Sequence, residues 1–174
     1  MIGPAWHLVK RFAGSLRTGP LPSTEEVWAR RRLLPGEREL WNRLSNPDRR
    51  HALGVATDVV DRLGPDIDRA VVAAALLHDV GKVVAGLGTP ARVAATLWWT
   101  VATEDTARRW AARPEGPARR FGQYRLHPEL GAGLLVEAGS DPLTSTWAAE
   151  HHLPPDRWTV PAEIGAVLKA CDDD

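Results

Sequence analysis

The chain of 174 residues falls within the size range of one domain, and 44% hydrophobic with 25% charged residues is typical of a globular protein with one core. Lys plus Arg and Asp plus Glu both total 22, so there is no net positive charge to attract nucleic acid, and any phosphate recognition must be local. The single cysteine, Cys171, excludes an internal disulfide framework and is typical of a reducing compartment. We therefore expect a cytoplasmic protein that does not bind nucleic acid.

The N-terminal part predicts a helical extension packed on the core. Apolar residues recur at helical spacing within residues 1–16, where basic residues interrupt any apolar signal segment, so a docking helix is expected. After a Gly/Pro-rich turn, Ser23 with Glu26 predicts a capping box at the start of a second helix, and residues 37–45 predict a third. The expected division is 1–45 for the extension and 46–174 for the main domain.

The next helix places a histidine on a buried side. Asn46-Pro47 predicts its N-cap and first turn, and Gly64 closes it. His51 is followed at intervals of four by three apolar residues, so it faces inward. A lone inward histidine is more often a core residue than a ligand. His51 becomes a stronger candidate for a metal ligand only if other potential ligands converge on it.

The most unusual stretch is residues 71–82, where seven apolar residues lead into His78, Asp79, Gly81 and Lys82. A buried imidazole beside a buried carboxylate needs a partner, and a metal ion is the most economical one. On a continuous helix the two side chains would lie about 100° apart, with Lys82 one turn further along the same side. A structural His-Asp hydrogen bond explains this pair alone equally well.

The middle of the chain predicts one core helix and a polar connection. Thr89-Pro90 opens an apolar helix to about residue 102, which is too short to span a membrane and is expected to lie in the core through Val93, Leu97, Trp98 and Val101. Residues 103–123 predict a polar helix and then a surface loop. Three arginines near its end are within reach of a substrate phosphate, although each alone is more often an ordinary surface residue: Arg119, Arg120 and Arg125.

The last third predicts three helices. His127-Pro128 begins the first, and Gly131 and Gly133 inside it indicate close packing. Asp141-Pro142 caps the second, which ends in Glu150-His151-His152, and the third runs from Pro161 to the C-terminus. No strand-like alternation or repeat occurs, so the fold class is all-α.

The histidines and acidic residues at the helix ends form one ordered set. Five of the six histidines belong to it, and its members are His51, His78, Asp79, His127, His151, His152 and Asp172. Histidine and carboxylate ligands without thiolate suit iron, manganese or a similar divalent ion, and a carboxylate can bridge two such ions.

The order His, His-Asp, His, His-His, Asp resembles the HD domain superfamily of metal-dependent phosphohydrolases over residues 46–174. The resemblance implies a helical bundle and hydrolysis by a hydroxide that bridges two divalent ions, iron or manganese in particular. It implies that one ion is bound by His51, His78, Asp79 and Asp172. Asp79 would also bridge to a second ion, bound by His127 and His151, with His152 as a further ligand or supporting partner. Asp79 and Lys82 would be the catalytic residues, Lys82 lying near the phosphate or the hydroxide.

The motifs look most like the HD-GYP branch, but the resemblance fails where that branch is most distinctive. His151-His152 is followed by Leu153-Pro154-Pro155 without Gly-Tyr-Pro, and position 47 is a proline where that branch can place a glutamate. These departures argue against cyclic di-GMP. The expected partner is a small phosphorylated substrate or nucleotide, without stable membrane insertion. Two alternatives stay open, which are a signalling or interaction module with little turnover and an HD-type di-iron oxygenase.

Overall fold

The computed structural model describes residues 19–173, with the exception of the Pro90 side chain, so the helix expected at residues 1–16 lies outside the described residues. Within residues 19–173 the structure is α-helical, with one 3₁₀ turn at Pro155–Arg157 and no strand, which confirms the all-α prediction. The α-helices are α1 (Ser23–Arg31), α2 (Pro35–Arg43), α3 (Asn46–Leu63), α4 (Arg69–Leu77), α5 (Lys82–Ala85), α6 (Thr89–Trp99), α7 (Glu104–Ala111), α8 (Pro117–Arg125), α9 (His127–Glu137), α10 (Pro142–Glu150) and α11 (Ala162–Asp173).

The main hydrophobic core is built around α4, whose residues from Ala70 to Leu77 are all buried. α4 packs against α3 and α10, and fully buried side chains such as Trp41 of α2 and Trp147 of α10 belong to the same cluster. Because α1 and α2 contribute to this cluster, the main core continues across residue 45. The division of the chain at that residue stays a prediction.

The continuous helix expected through Lys82 is wrong. α4 ends at Leu77, a turn follows, and α5 begins at Lys82. The turn packs backbone against backbone on the start of α9: a Cβ at Gly81 would overlap the His127 carbonyl oxygen and lie 2.6 Å from the Gly131 nitrogen. The close packing expected at Gly131 is confirmed, whereas a Cβ at Gly133 would have no described atom within 4 Å.

Two predicted helix starts need correction, and a third is confirmed. Ser23 is the first residue of α1 and makes no capping box, because Glu26 instead accepts a hydrogen bond from the Trp41 indole at 2.9 Å. The N-cap of α3 is Ser45 rather than Asn46, and its hydroxyl accepts from the Asp48 amide at 3.3 Å. Asp141 caps α10 as predicted, accepting from the Leu143 amide at 2.9 Å.

The expectation that α6 buries its large apolar residues is wrong. Val93 is 51% exposed and Leu97 65% exposed, and Trp98 and Val101 are exposed as well. The small Ala95 is fully buried, in a second cluster with Ala85 and Leu87. α6 is apolar around most of its circumference, so spacing alone could not identify its buried face.

The polar helix and the surface loop expected within residues 103–123 are both present, as α7 and as the exposed residues 112–116, but the helix that follows the loop, α8, was not predicted. Two helices, α7 and α8, occupy most of this segment and pack closely on each other. Gly122 permits this approach, because a Cβ there would lie 2.6 Å from the Ala107 carbonyl oxygen. α8 also packs on α5 and α6, which brings its C-terminal end beside Lys82.

Taken singly, none of the described helices combines the length and apolar character needed to cross a membrane; the bent pair Arg69–Ala85 and Pro90–Trp99 meets these criteria together, by length and composition only.

Candidate metal centre

The histidines and acidic residues predicted as ligands lie together where several helices end. His78 and His151 directly follow the last residues of α4 and α10, and His127 begins α9 two residues after α8 ends. His51 lies near the start of α3, and Asp172 lies in the last turn of α11. Four helices, α4, α8, α10 and α11, therefore have their C-termini near the same centre, where their partial negative charge favours a cation, while the start of α9 contributes a partial positive charge.

Three of the histidines have the same backbone contact. The Nδ1 atoms of His78, His127 and His151 lie 2.9, 2.7 and 2.9 Å from the carbonyl oxygens three residues earlier. These carbonyls belong to the last turns of α4, α8 and α10, and that of Tyr124 also accepts from a backbone amide at the end of α8. A carbonyl only accepts, so each Nδ1 carries the proton and each Nε2 of the neutral ring has a free lone pair.

Those lone pairs have no hydrogen-bond partner among residues 19–173. The buried atoms without one include the Nε2 atoms of His78, His127 and His151 and Oδ1 of Asp79. Nε2 of His127 and of His151 lie 3.1 and 3.6 Å from that Asp79 oxygen. Acceptors buried this close to each other need a cation or a proton between them, so the residues present fit a bound metal ion.

The potential ligand atoms fall into two groups that share Asp79. In one, atoms of Asp79, His127, His151 and His152 all lie within 4.8 Å of one another. In the other, atoms of His51, His78 and Asp79 do so. A carboxylate common to two groups of nitrogen ligands is suited to bridging two metal ions.

Asp172 joins the second group from the C-terminal helix. Its Oδ1 lies 3.0 Å from Nε2 of His51 and 3.5 Å from Nε2 of His78. Its carboxylate is largely buried although it is close to the end of the chain described. Burial alone would raise the pKa of Asp172, but the two histidines outweigh burial and hold the pKa well below its usual range.

Asp79 is the electrostatic centre of the site. Lys82, one turn further along, forms a short ion pair with its Oδ2. Burial would raise the pKa of the Asp79 carboxyl, but Lys82 and His78 outweigh burial and keep the pKa well below its usual range. Asp79 is therefore ionised at neutral pH and available as a ligand through Oδ1.

The histidines differ in their protonation. Burial would lower the pKa of His78, but the Asp79 and Asp172 carboxylates outweigh it and raise the pKa. Burial lowers the pKa of His151, and burial together with His151 and His127 lowers that of His152 to about 3. His151 and His152 are therefore neutral at neutral pH and can donate a lone pair to a metal ion.

A loop after the double histidine is fixed by Glu150. This buried carboxylate accepts hydrogen bonds from the Thr159 hydroxyl at 2.6 Å and the Thr159 amide at 2.8 Å. Sequence reasoning noted Glu150 only as the end of a helix. The bonds secure residues 151–160 to the end of α10 and thereby stabilise the backbone next to His151.

A pocket of about 360 Å³ lies beside the centre. Its lining residues are Lys82, Thr96, Trp99, Thr100, Tyr124, Arg125, His127 and His152. Sequence reasoning missed Tyr124, Trp99 and the two threonines. The one local signal was the position of Tyr124 three residues before His127, the spacing at which a carbonyl in the last turn of a helix meets the imidazole.

The three arginines predicted near a phosphate have different surroundings. Arg119 donates to the Pro114 carbonyl at 2.6 Å, and Arg120 donates to the carbonyls of Ala85 and Gly86. Arg125 lines the pocket, and no hydrogen bond or ion pair to another residue of the described chain engages its guanidinium. Arg125 is therefore the arginine of the three with its charge available at the site.

The fold and the centre together define an all-α protein with a candidate divalent-metal site of nitrogen and oxygen ligands. The HD domain family model matches residues 49–172, and the chain belongs to the HD domain family. HD domains bind divalent metals, and the family generally consists of metal-dependent hydrolases. The chain has no significant match among curated proteins or among solved structures.

Proposed function

We propose that the protein is a metal-dependent phosphohydrolase that acts on a small phosphoester or nucleotide. The observation that carries the proposal is the convergence of four buried acceptor atoms without hydrogen-bond partners, on Asp79 and three histidines, beside a pocket. Family membership supports the same reaction class.

The ligands divide between two metal ions, of which iron and manganese suit this donor set best. One ion would be held by His51, His78, Asp79 and Asp172. The other would be held by His127, His151 and the shared Asp79, with His152 as an additional ligand or neighbour. Bound metal would supply an activated water and stabilise negative charge on the phosphate.

Two cationic side chains make the pocket suitable for binding a phosphate. Lys82 lines it while its ammonium contacts Asp79, so it can orient a phosphate against the centre. Arg125 presents a guanidinium, which can bind two phosphate oxygens at once. We assign binding and orientation of the phosphate to these two residues.

The size of the pocket supports a small substrate. About 360 Å³ is near the lower end of ligand sites, which range from about 300 to 1,000 Å³. A cyclic dinucleotide contains two nucleotide units and needs a longer groove. We therefore favour mononucleotides, cyclic mononucleotides and other small phosphoesters over cyclic di-GMP.

A parallel substrate assay tests this proposal. Protein loaded with Mn²⁺ or Fe²⁺ is assayed with nucleoside monophosphates, cyclic mononucleotides, small phosphoesters and cyclic di-GMP, with Asp79→Ala as the control. Turnover of at least one small substrate by the wild type and none by the variant supports the proposal. Failure with every substrate contradicts a hydrolase, and fastest turnover of cyclic di-GMP contradicts a small substrate.

A further inference from the structure

Two aromatic side chains line the pocket beside the candidate metal centre. They are Trp99 at the end of α6 and Tyr124 near the end of α8, and both are partly buried. Each packs on the second apolar cluster, which contains Ala85, Leu87 and Ala95. The two rings are thus supported from below by packed side chains and contribute to the pocket wall.

Hydrogen bonds and ring contacts fix these residues further. The Trp99 indole donates to the Phe121 carbonyl at 3.1 Å, and its ring meets that of Trp110 edge-on at 5.6 Å. The Tyr124 ring lies 5.8 Å from that of His127, and the Tyr124 carbonyl accepts from the same histidine. Packing restrains both rings and the indole hydrogen bond further fixes Trp99, which reduces the side-chain freedom lost when a ligand binds.

The rest of the wall adds polar groups at defined places. Thr96 of α6 lies one turn before Thr100, the residue that follows this helix, and both line the pocket. The Thr100 hydroxyl donates to the Leu97 carbonyl at 2.7 Å, whereas that of Thr96 has no partner among the residues described. Arg125 and Lys82 complete the pocket. Aromatic surface, a free hydroxyl and cations therefore occur within one small cavity.

We propose that Trp99 and Tyr124 form a specificity subsite for a flat aromatic or heteroaromatic ring carried by the substrate. The inference rests on the proposed function and narrows its substrate class to phosphoesters that bear such a ring, as nucleoside monophosphates do. Ring stacking supplies binding free energy that a phosphate and a sugar alone cannot. The Thr96 hydroxyl can form a hydrogen bond with a polar atom at the edge of the substrate's ring.

The chain provides a matched control at the neighbouring position. Trp98 is 44% exposed and stacks on Trp110 at 5.6 Å, and it does not line the pocket. Trp98→Ala removes the same type of side chain from the same helix, at a position outside the pocket wall. Trp99→Phe keeps an aromatic ring, and Tyr124→Leu tests the second ring independently should Trp99→Ala fail to fold.

The kinetic test compares a substrate that carries a ring with one that does not. For adenosine 5′-monophosphate and ribose 5-phosphate, kcat/KM is measured on the metal-loaded wild type and all four variants. Trp99→Ala and Tyr124→Leu should lower kcat/KM about tenfold for the nucleotide only, while Trp99→Phe and Trp98→Ala change it less than twofold. Equal losses on both substrates, or an equal effect of Trp98→Ala, would overturn the subsite.

A binding measurement separates this inference from the proposed function. Calorimetry with adenosine, guanosine, cytidine and uridine requires no turnover. At least one nucleoside should bind to the wild type, and the same nucleoside should bind about tenfold more weakly to Trp99→Ala. Both results are expected even if no phosphoester is hydrolysed. Absence of binding by all four nucleosides overturns the subsite, whatever the hydrolase assay shows.

Discussion

Nε2 of His127 lies 3.1 Å from Oδ1 of Asp79, while Nδ1 of the same ring lies 2.7 Å from the Tyr124 carbonyl oxygen. The carbonyl contact places the ring proton on Nδ1, so two acceptors face each other in a buried site. His78 and His151 repeat the backbone contact. The free ends of three helices thereby orient the imidazoles, the role that supporting hydrogen bonds have in metal sites.

Substitutions of Asp79 and Lys82 should have different effects on metal content and turnover. Asp79→Ala removes the carboxylate shared by both groups of potential ligands, so metal content and turnover should both be lost. Lys82→Ala should keep the metal and lower kcat/KM about a hundredfold, because the cation that we propose to contact the phosphate is missing. Elemental analysis and kinetics on the same preparations measure both effects. If Lys82→Ala removes the metal as completely as Asp79→Ala, Lys82 has a different role.

The turn between α4 and α5 should tolerate no side chain at position 81. Gly81→Ala forces a methyl group onto the His127 carbonyl and should lower the free energy of unfolding by about 3 kcal/mol. It should also reduce metal content, because the turn sets the spacing between Asp79 and His127. Urea unfolding and elemental analysis provide the measurements.

Gly133→Ala is the matched control for this substitution. Gly133 is exposed within α9, and an added Cβ meets no described atom within 4 Å. Alanine should therefore raise the free energy of unfolding by up to about 1 kcal/mol through helix propensity. Similar destabilisation by both alanines would show that the close contact at Gly81 is not the cause.

The ion pair between Asp48 and Arg92 should make stability depend on pH. It joins the start of α3 to the start of α6, with atoms 2.5 and 2.9 Å apart. Burial would raise the pKa of Asp48, but Arg92 outweighs burial and lowers it from 3.8. The stabilisation is therefore complete above pH 3.8 and is lost as the pH falls through the folded-state pKa.

Asp48→Asn measures that contribution. The variant should lower the free energy of unfolding by about 2 kcal/mol at pH 7, and the difference from the wild type should shrink in strongly acidic solution. Urea titrations of chelator-treated protein across this range give the values. A constant difference down to pH 2 would contradict the assignment to the ionised carboxylate.

Arg125 should contribute to substrate binding where Arg119 does not. Arg125→Ala removes the available guanidinium from the pocket and should raise KM about tenfold on the substrate identified, with metal content unchanged. Arg119→Ala is the control, because Arg119 lies on the same helix outside the pocket wall and donates to the Pro114 carbonyl. Equal KM values for the two variants would show that Arg125 does not contact substrate.

The helical class and the set of potential ligands could be predicted because both depend on residue types and their order. His78 follows an apolar run, His151 is half of a double histidine at a helix end, and cap signals such as Asp141-Pro142 are local. The seven predicted residues lie together in the structure, and their role as ligands stays a prediction. The turn at residues 78–81 was missed because its cause, the contact of Gly81 with α9, is made by residues distant in sequence.

The pocket wall was less accessible to prediction. α6 has apolar residues on most sides, so the burial of Ala95 and the exposure of Leu97 depend on neighbouring helices. Trp99 and Tyr124 meet in one pocket only because α6 and α8 pack together. Spacing along the chain contains no information about that contact.

The metal content of the purified protein tests the central claim most directly. Elemental analysis of protein prepared without chelators should find about two divalent transition-metal ions per chain, mainly iron or manganese. A fully folded protein that contains no metal and cannot be reconstituted with Fe²⁺ or Mn²⁺ would contradict the account.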